Sequence, residues 1–241
     1  MKSKITLALV IITVAITACE ASVDRIQPHD HTGKLAPYFP RPFSEIKLTP
    51  QDEAQLARGK PVLKQIEGEG VVCIQDIHAP KAAVWNQILD FGMYKKKVNL
   101  VLHSSNYYVD KSNEEAKRIK TKVKLGILPG YSYDLYYDHI FYPQKDSMTW
   151  TLDYSRKSDM DDVSGQWHIE ERDNGSKTRV FCACDVLLRE FVPVSIMSSI
   201  SRAALKLATG WVKKQSEQNA DSFHVAEQFG YRRMTPVAVA V

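Results

Sequence analysis

The residues best suited to proton transfer are the adjacent pair Asp138-His139 and the single His168. A histidine can serve as general acid or base near neutral pH. Both sites fall in strand-like runs, where neighbouring residues point to opposite faces, so Asp138 and His139 cannot enter one cavity together. His168 follows Trp167 and is expected to face away from it, outward. His139 then reads as a hydrogen-bonded wall residue, and no catalytic residue is assigned. The chain holds no G-x-S-x-G elbow, P-loop, G-x-G-x-x-G or H-E-x-x-H. His29-Asp30-His31 could hold a metal loosely, but it sits in a polar, proline-punctuated stretch and reads as solvated linker. No metal site is assigned.

Cys19, Cys73, Cys182 and Cys184 are too few for a disulfide framework. Cys182 and Cys184, two apart on a strand, share a face and are poorly placed to bond each other. A bridge from Cys73 to either needs neighbouring strands. No paired C-x-x-C or histidine spacing accompanies them, so zinc is not expected and they read as small apolar groups.

What remains is an aromatic set. Strand alternation puts Tyr133, Leu135, Tyr137, His139 and Phe141 on one face, then Met148, Trp150, Leu152 and Tyr154, then Gly165, Trp167 and Ile169. Ile196, Ile200, Leu207 and Trp211, on a helix, would face them across a gap. The residues assigned to ligand contact are Tyr133, Tyr137, His139, Trp150, Tyr154, Trp167, Ile196, Ile200, Leu207 and Trp211. Such side chains give broad apolar contact, and tyrosine and tryptophan add a hydrogen-bonding edge. The alternative for each is plain core.

The elements that must position them are legible. Residues 22–66 read as a proline-punctuated linker with one short helix, opened by Thr49 as N-cap with Pro50 behind it. The domain spans 67–217. Gly70–Ile77 reads as a strand and Ala79–Phe91 as a helix. Strands are then expected over Val98–Tyr108, Ala116–Leu125, Tyr131–Tyr142, Ser147–Tyr154, Val163–Glu171 and Ser176–Arg189. Asp173-Asn174-Gly175 is a hairpin signal, and Asn174-Gly175-Ser176 is also a glycosylation sequon. A long helix follows Val192-Pro193, with Ile196, Ile200, Ala203, Ala204, Leu207 and Trp211 as its apolar face. Residues 218–241 read as a flexible tail. A sheet this large must curl, and the last helix is the element long enough to cover it.

Of 241 residues, 44% are hydrophobic and 25% charged, enough to bury a real core. Net charge is +4, and Lys2 and Lys4 supply two of those charges, so the rest is nearly neutral and no nucleic-acid partner is expected. The apolar run Ile5–Ala18 behind those lysines reads as a signal peptide ending near residue 21. The expected route is export through the secretory pathway. Ile16-Thr17-Ala18-Cys19 also resembles a bacterial lipobox, which would anchor the protein at Cys19. Lys95-Lys96-Lys97 could touch anionic headgroups as a peripheral membrane contact, or form a solvated surface.

The order strand, helix, antiparallel strands, long helix resembles the START and polyketide-cyclase-like superfamily (SRPBCC), most closely its coenzyme Q-binding group. The residues that carry the likeness are Val72–Pro80 leading into Ala83–Phe91, Met148–Tyr154, Gly165–Ile169, and Lys177–Val180 running on to Val192-Pro193. The resemblance implies an α+β helix-grip fold, a curved antiparallel sheet of about seven strands wrapped on a long C-terminal helix. It implies a cavity for a lipid, isoprenoid quinone or sterol-like molecule, and because the residues offer no catalytic set the molecule is expected to be bound and transferred without catalysis. The quinone or lipid would be ligand, not cofactor. The alternative is a cyclase- or hydrolase-like enzyme using the same cavity.

Overall fold

The computed structural model describes residues 27–43, 45–66, 70–128, 131–189 and 194–231. The expected signal peptide with Cys19, and the tail beyond Tyr231, lie outside the described residues. Eight runs rich in β-branched and aromatic residues pair as one antiparallel sheet: β1 (Val62–Ile66), β2 (Gly70–Ile77), β3 (Val101–Asp110), β4 (Lys117–Leu128), β5 (Tyr131–Tyr142), β6 (Ser147–Leu152), β7 (Asp162–Arg172) and β8 (Lys177–Leu187). Their spatial order is β1-β2-β8-β7-β6-β5-β4-β3. The sheet is open and curved, with a long C-terminal helix, which is the helix-grip α+β fold expected. It has one strand more than expected, because β1 belongs to it.

Turn chemistry sets the register. Between β7 and β8, Asp173, Asn174 and Gly175 all take positive φ, at 49°, 52° and 85°. Asparagine, aspartate and glycine tolerate that region best. Between β5 and β6 a 3-10 turn at Pro143–Lys145 ends on left-handed Asp146.

The concave face carries the main core. Helix α2 (Lys81–Leu89) buries Trp85, Ile88 and Leu89 there, with Trp85 4.7 Å from Phe141. A 3-10 turn, Phe91–Met93, and the short α3 (Tyr94–Lys97) follow. The long helix α4 (Val194–Gln218) makes its main contacts with β2, β8 and α2. Residues 219–231, expected as loose tail, are folded. Helix α5 (His224–Gln228) packs on α2, where Asn86 Oδ1 accepts the Val225 N–H at 2.8 Å. Phe229 and Tyr231 are buried, and the Tyr231 hydroxyl donates to Asp146 at 2.9 Å. Five helical residues between glycine and asparagine give too short a period to read in advance.

A second core lies on the convex face. Val62, Ile66, Val72, Ile74, Phe181 and Ala183 bury against Phe43 and against Leu56 of α1 (Pro50–Ala57). The Thr49 side chain caps α1 and Asp52 answers it, a complete capping box. Arg179, almost fully buried, ties α1 to the sheet through Glu53 at 2.7 Å and Asp76 at 2.6 Å. The stretch read as linker is therefore a strap folded onto the sheet. Its hinge on β7 is Asp162, fully buried, which accepts the Lys34 and Leu35 N–H groups at 2.6 and 2.7 Å and the Tyr154 hydroxyl at 2.7 Å. Burial pushes the Asp162 carboxyl up, but the Leu35 and Lys34 amides and the Tyr154 hydroxyl outweigh it and hold its pKa below the usual range.

Asp162→Asn turns an amide donor toward these donors and should cost about 2–3 kcal/mol. Hydrogen exchange should show residues 34–43 opening first. Because the folded carboxyl titrates low, its contribution is complete above the ordinary aspartate range and is lost as pH falls through it. Acid should therefore loosen the strap in the parent protein, and a strap equally protected in parent and variant would refute this role.

Candidate functional site

The concave faces of β5, β6, β7 and β8 meet in register: His139 opposite Trp150, Trp150 opposite Gly165, Gly165 opposite Cys184. Gly165 is where the sheet has room. A Cβ there would lie 2.2 Å from Trp150 Cζ2, so the indole rests flat over the glycine. Trp150 and Cys184 also touch both apolar clusters of this face. One is the main core; the other is Leu135, Leu152, Met160 and Val163, ringed by half-buried Tyr133, Tyr137, Val186 and Leu188.

Desolvation pushes the Cys184 thiol up to about 12 and the Tyr137 hydroxyl well above its ordinary value. Yet both side chains keep accessible surface. Both therefore lie at the accessible part of the concave face, and this strip of the curved sheet is the candidate groove. His139 sits beside them at 6% exposure, 4.3 Å from Phe91, 5.6 Å from Tyr137 and 6.4 Å from Trp150 between ring centroids. Desolvation lowers its pKa to about 3, so the ring is neutral. Its Nδ1–H donates to the Ile119 carbonyl at 3.3 Å. Thr121, the register partner of Tyr137, is buried with no partner for its hydroxyl among the described residues. His139, Tyr137 and Cys184 are thus held neutral by the same desolvation.

Tyr133, Tyr137, His139 and Trp150 therefore meet as the alternation predicts. Trp167 lies deeper, within the main core. Tyr154 packs half-buried against the same second cluster, but its hydroxyl end belongs elsewhere. Strand β6 ends at Leu152, so the alternation stops, and Tyr154 swings to the strap, where its hydroxyl goes to Asp162 and its ring lies 6.0 Å from both His29 and His31.

The face of α4 also differs from expectation. Leu205, Thr209, Val212 and Ser216 turn inward, whereas Ala203, Ala204 and Leu207 are exposed, Leu207 at 59%. Two of the four inward residues are hydroxylated, so counting apolar residues alone selected the opposite stripe. Thr209 fits inside because its hydroxyl bonds Cys73 Sγ at 3.3 Å and the Leu205 carbonyl at 3.2 Å. Trp211 is half-buried, 5.0 Å from Tyr94. The side chains of Ile196 and Ile200 lie outside the described residues. Cys184, Phe91 and Tyr94 are wall residues the sequence reading missed. Cys184 shared a face with Cys182, but nothing distinguished groove from core.

The outward groups do other work. Asp138 pairs with Arg118. His168 faces away from the groove as expected, but is buried, with Nδ1 2.9 Å from the Ser147 hydroxyl. Cys73 and Cys182 are register partners, and both are free thiols. His29, His31 and Asp161 gather ligand atoms within 4.8 Å of one another. However, His29 Nδ1 accepts the Ser158 N–H and its Nε2 donates to the Asp161 carbonyl; His31 Nδ1 accepts the Gly33 N–H and its Nε2 donates to the Asp161 carboxylate. That leaves neither ring a free lone pair, and Lys34 Nζ sits 2.8 Å from the same carboxylate. The cluster is a clasp for the strap.

No family model matches the sequence, and no curated protein matches it. The fold is similar to that of a START superfamily protein from Mycobacterium smegmatis, at 14% identity over 61% of this chain and 96% of that one, with a TM-score of 0.52. A STAR-related lipid transfer protein from Xanthomonas axonopodis matches at 12% identity, over 68% and 93% of the two chains, with a TM-score of 0.47. An aromatase/cyclase from a Streptomyces species matches at 13%, over 68% and 94%, with a TM-score of 0.41. The first likeness establishes the fold. Identities this low speak to nothing finer.

Proposed function

Proceeding from a START-type helix-grip fold, we propose that the concave groove carries an apolar small molecule and hands it on chemically unchanged. The observation that carries this is the ring of half-buried side chains around Trp150, beside which His139, Tyr137 and Cys184 are held neutral. Such a surface gains from covering apolar area, about 25 cal/mol per Å². A general acid or base needs a pKa near the working pH, and His139 at about 3 is far from it. That argues for carrier over cyclase or hydrolase.

The groove's rim suits delivery from a bilayer after export. Next to Phe91, exposed Met93 and Leu100 stand with exposed Lys95 and Lys96, and Leu102 follows on β3. Apolar side chains with flanking lysines favour an anionic membrane surface. Protein purified from its own host should show a bound apolar species at one per chain by native mass spectrometry. It should also take fluorescent lipid faster from vesicles containing phosphatidylglycerol than from neutral ones. A protein that arrives empty and extracts nothing from either vesicle would overturn the carrier reading.

A further inference from the structure

The groove's polar atoms specify the head of its ligand. Resting on the carrier reading, we infer that the ligand ends in a neutral hydroxyl group, which donates to His139 Nε2 and accepts from the Tyr137 hydroxyl.

The tautomer follows from the partner. A carbonyl oxygen only accepts, so the bond from His139 Nδ1 to Ile119 O places the ring proton on Nδ1. Because the ring is neutral, Nε2 is left as a bare acceptor in a side chain more than nine-tenths buried. Among the described residues nothing donates to it. The Tyr137 hydroxyl is likewise unpaired there, on the same face of the same strand, its ring 5.6 Å from the imidazole. One group therefore needs a donor, and the other offers one.

Ligand chemistries separate on that pair. A quinone or ester carbonyl accepts from Tyr137 but leaves Nε2 unmet. A carboxylate adds a charge where the neighbouring titratable groups are neutral and cannot donate to Nε2. An alcohol, phenol or quinol does both. A buried polar atom left unmet on binding costs far more than a modest gain elsewhere, which makes such a pair selective. Thr121, beside Tyr137 in register, adds a second hydroxyl at this end of the groove.

The test is displacement of Nile red from the whole protein by geranylgeraniol, by its methyl ether and by geranylgeranoic acid, with cholesterol and its 3-methyl ether as a second body. For whichever body binds, the alcohol should displace the dye at least tenfold more tightly than the ether, and more tightly than the acid. In His139→Phe that preference should shrink below threefold, whereas Tyr137→Phe, which removes a donor that alcohol and ether oxygens can both use, should weaken both at least threefold and leave the preference in place. Tyr137→Phe removes a single oxygen, so it keeps the test open if His139→Phe does not fold. Equal affinity for alcohol and ether in the parent, a preference that survives His139→Phe, or alcohol affinity untouched by Tyr137→Phe overturns the inference while leaving the carrier reading standing. Failure of Nile red and both bodies to bind would overturn the carrier reading itself, and this inference with it.

Discussion

Gly165→Ala should lose stability and ligand together. The new Cβ would stand 2.2 and 2.5 Å from two atoms of the Trp150 indole and 2.8 Å from the Ala183 carbonyl oxygen. The indole could move, but the carbonyl belongs to the strand paired alongside and cannot yield without disturbing the β7–β8 ladder. Overpacking of this kind costs roughly 1–3 kcal/mol, and a backbone neighbour places it at the upper end. Gly165 is not among the positive-φ glycines, so the effect is steric rather than conformational. Displaced from its seat, Trp150 can only rise into the groove, and Nile red affinity should fall by more than tenfold. Urea unfolding and a dye titration read the two effects separately. Parent-like values in both would mean that Trp150 does not shape the floor.

Trp85→Ala should be the most damaging single change in the main core. Trp85, on α2, is fully buried and packs on Phe141 of β5. Truncating a buried tryptophan typically costs about 3–5 kcal/mol. Its indole nitrogen has no hydrogen-bond partner among the described residues, so Trp85→Phe forfeits volume but no bond and should cost less than half as much. The urea midpoint should drop in that order with the slope unchanged. Equal losses would reveal a partner for the indole N–H.

Much of the fold was legible because strands announce themselves by alternation and turns by their residues. Gly70–Ile77 and Tyr131–Tyr142 form as read, and Asp173-Asn174-Gly175 turns where it should. The groove followed from the same rule, since a period of two puts Tyr133, Tyr137 and His139 on one face without knowledge of what they meet. The failures lie where a segment's role is set by distant partners. Val62–Ile66 has three apolar residues in five and no clean alternation, because one side of β1 meets the convex core and the other the concave one. The strap looked like linker because the polar groups of His29, His31, Lys34 and Leu35 are satisfied by Asp161, Asp162 and Tyr154, more than a hundred residues away. Helix α4 misled for the opposite reason: its local stripe of apolar residues was real, but Thr209 and Ser216 are among the residues it buries, and the Thr209 hydroxyl bonds Cys73 of β2.

The strap also sets an order of events in time. Lys34 finds Asp162 across 128 residues. Closing a flexible loop of that length costs about 4 kcal/mol of chain entropy, whereas between the ends of a formed sheet the cost is small. The strap should therefore dock last, after β7 and β8 have paired. Contacts made after the rate-limiting step govern escape from the native state rather than arrival at it. The loss caused by Asp162→Asn should then appear as faster unfolding at an unchanged folding rate, so that a segment lying ahead of the sheet in the chain acts as a latch on how long the finished protein lasts.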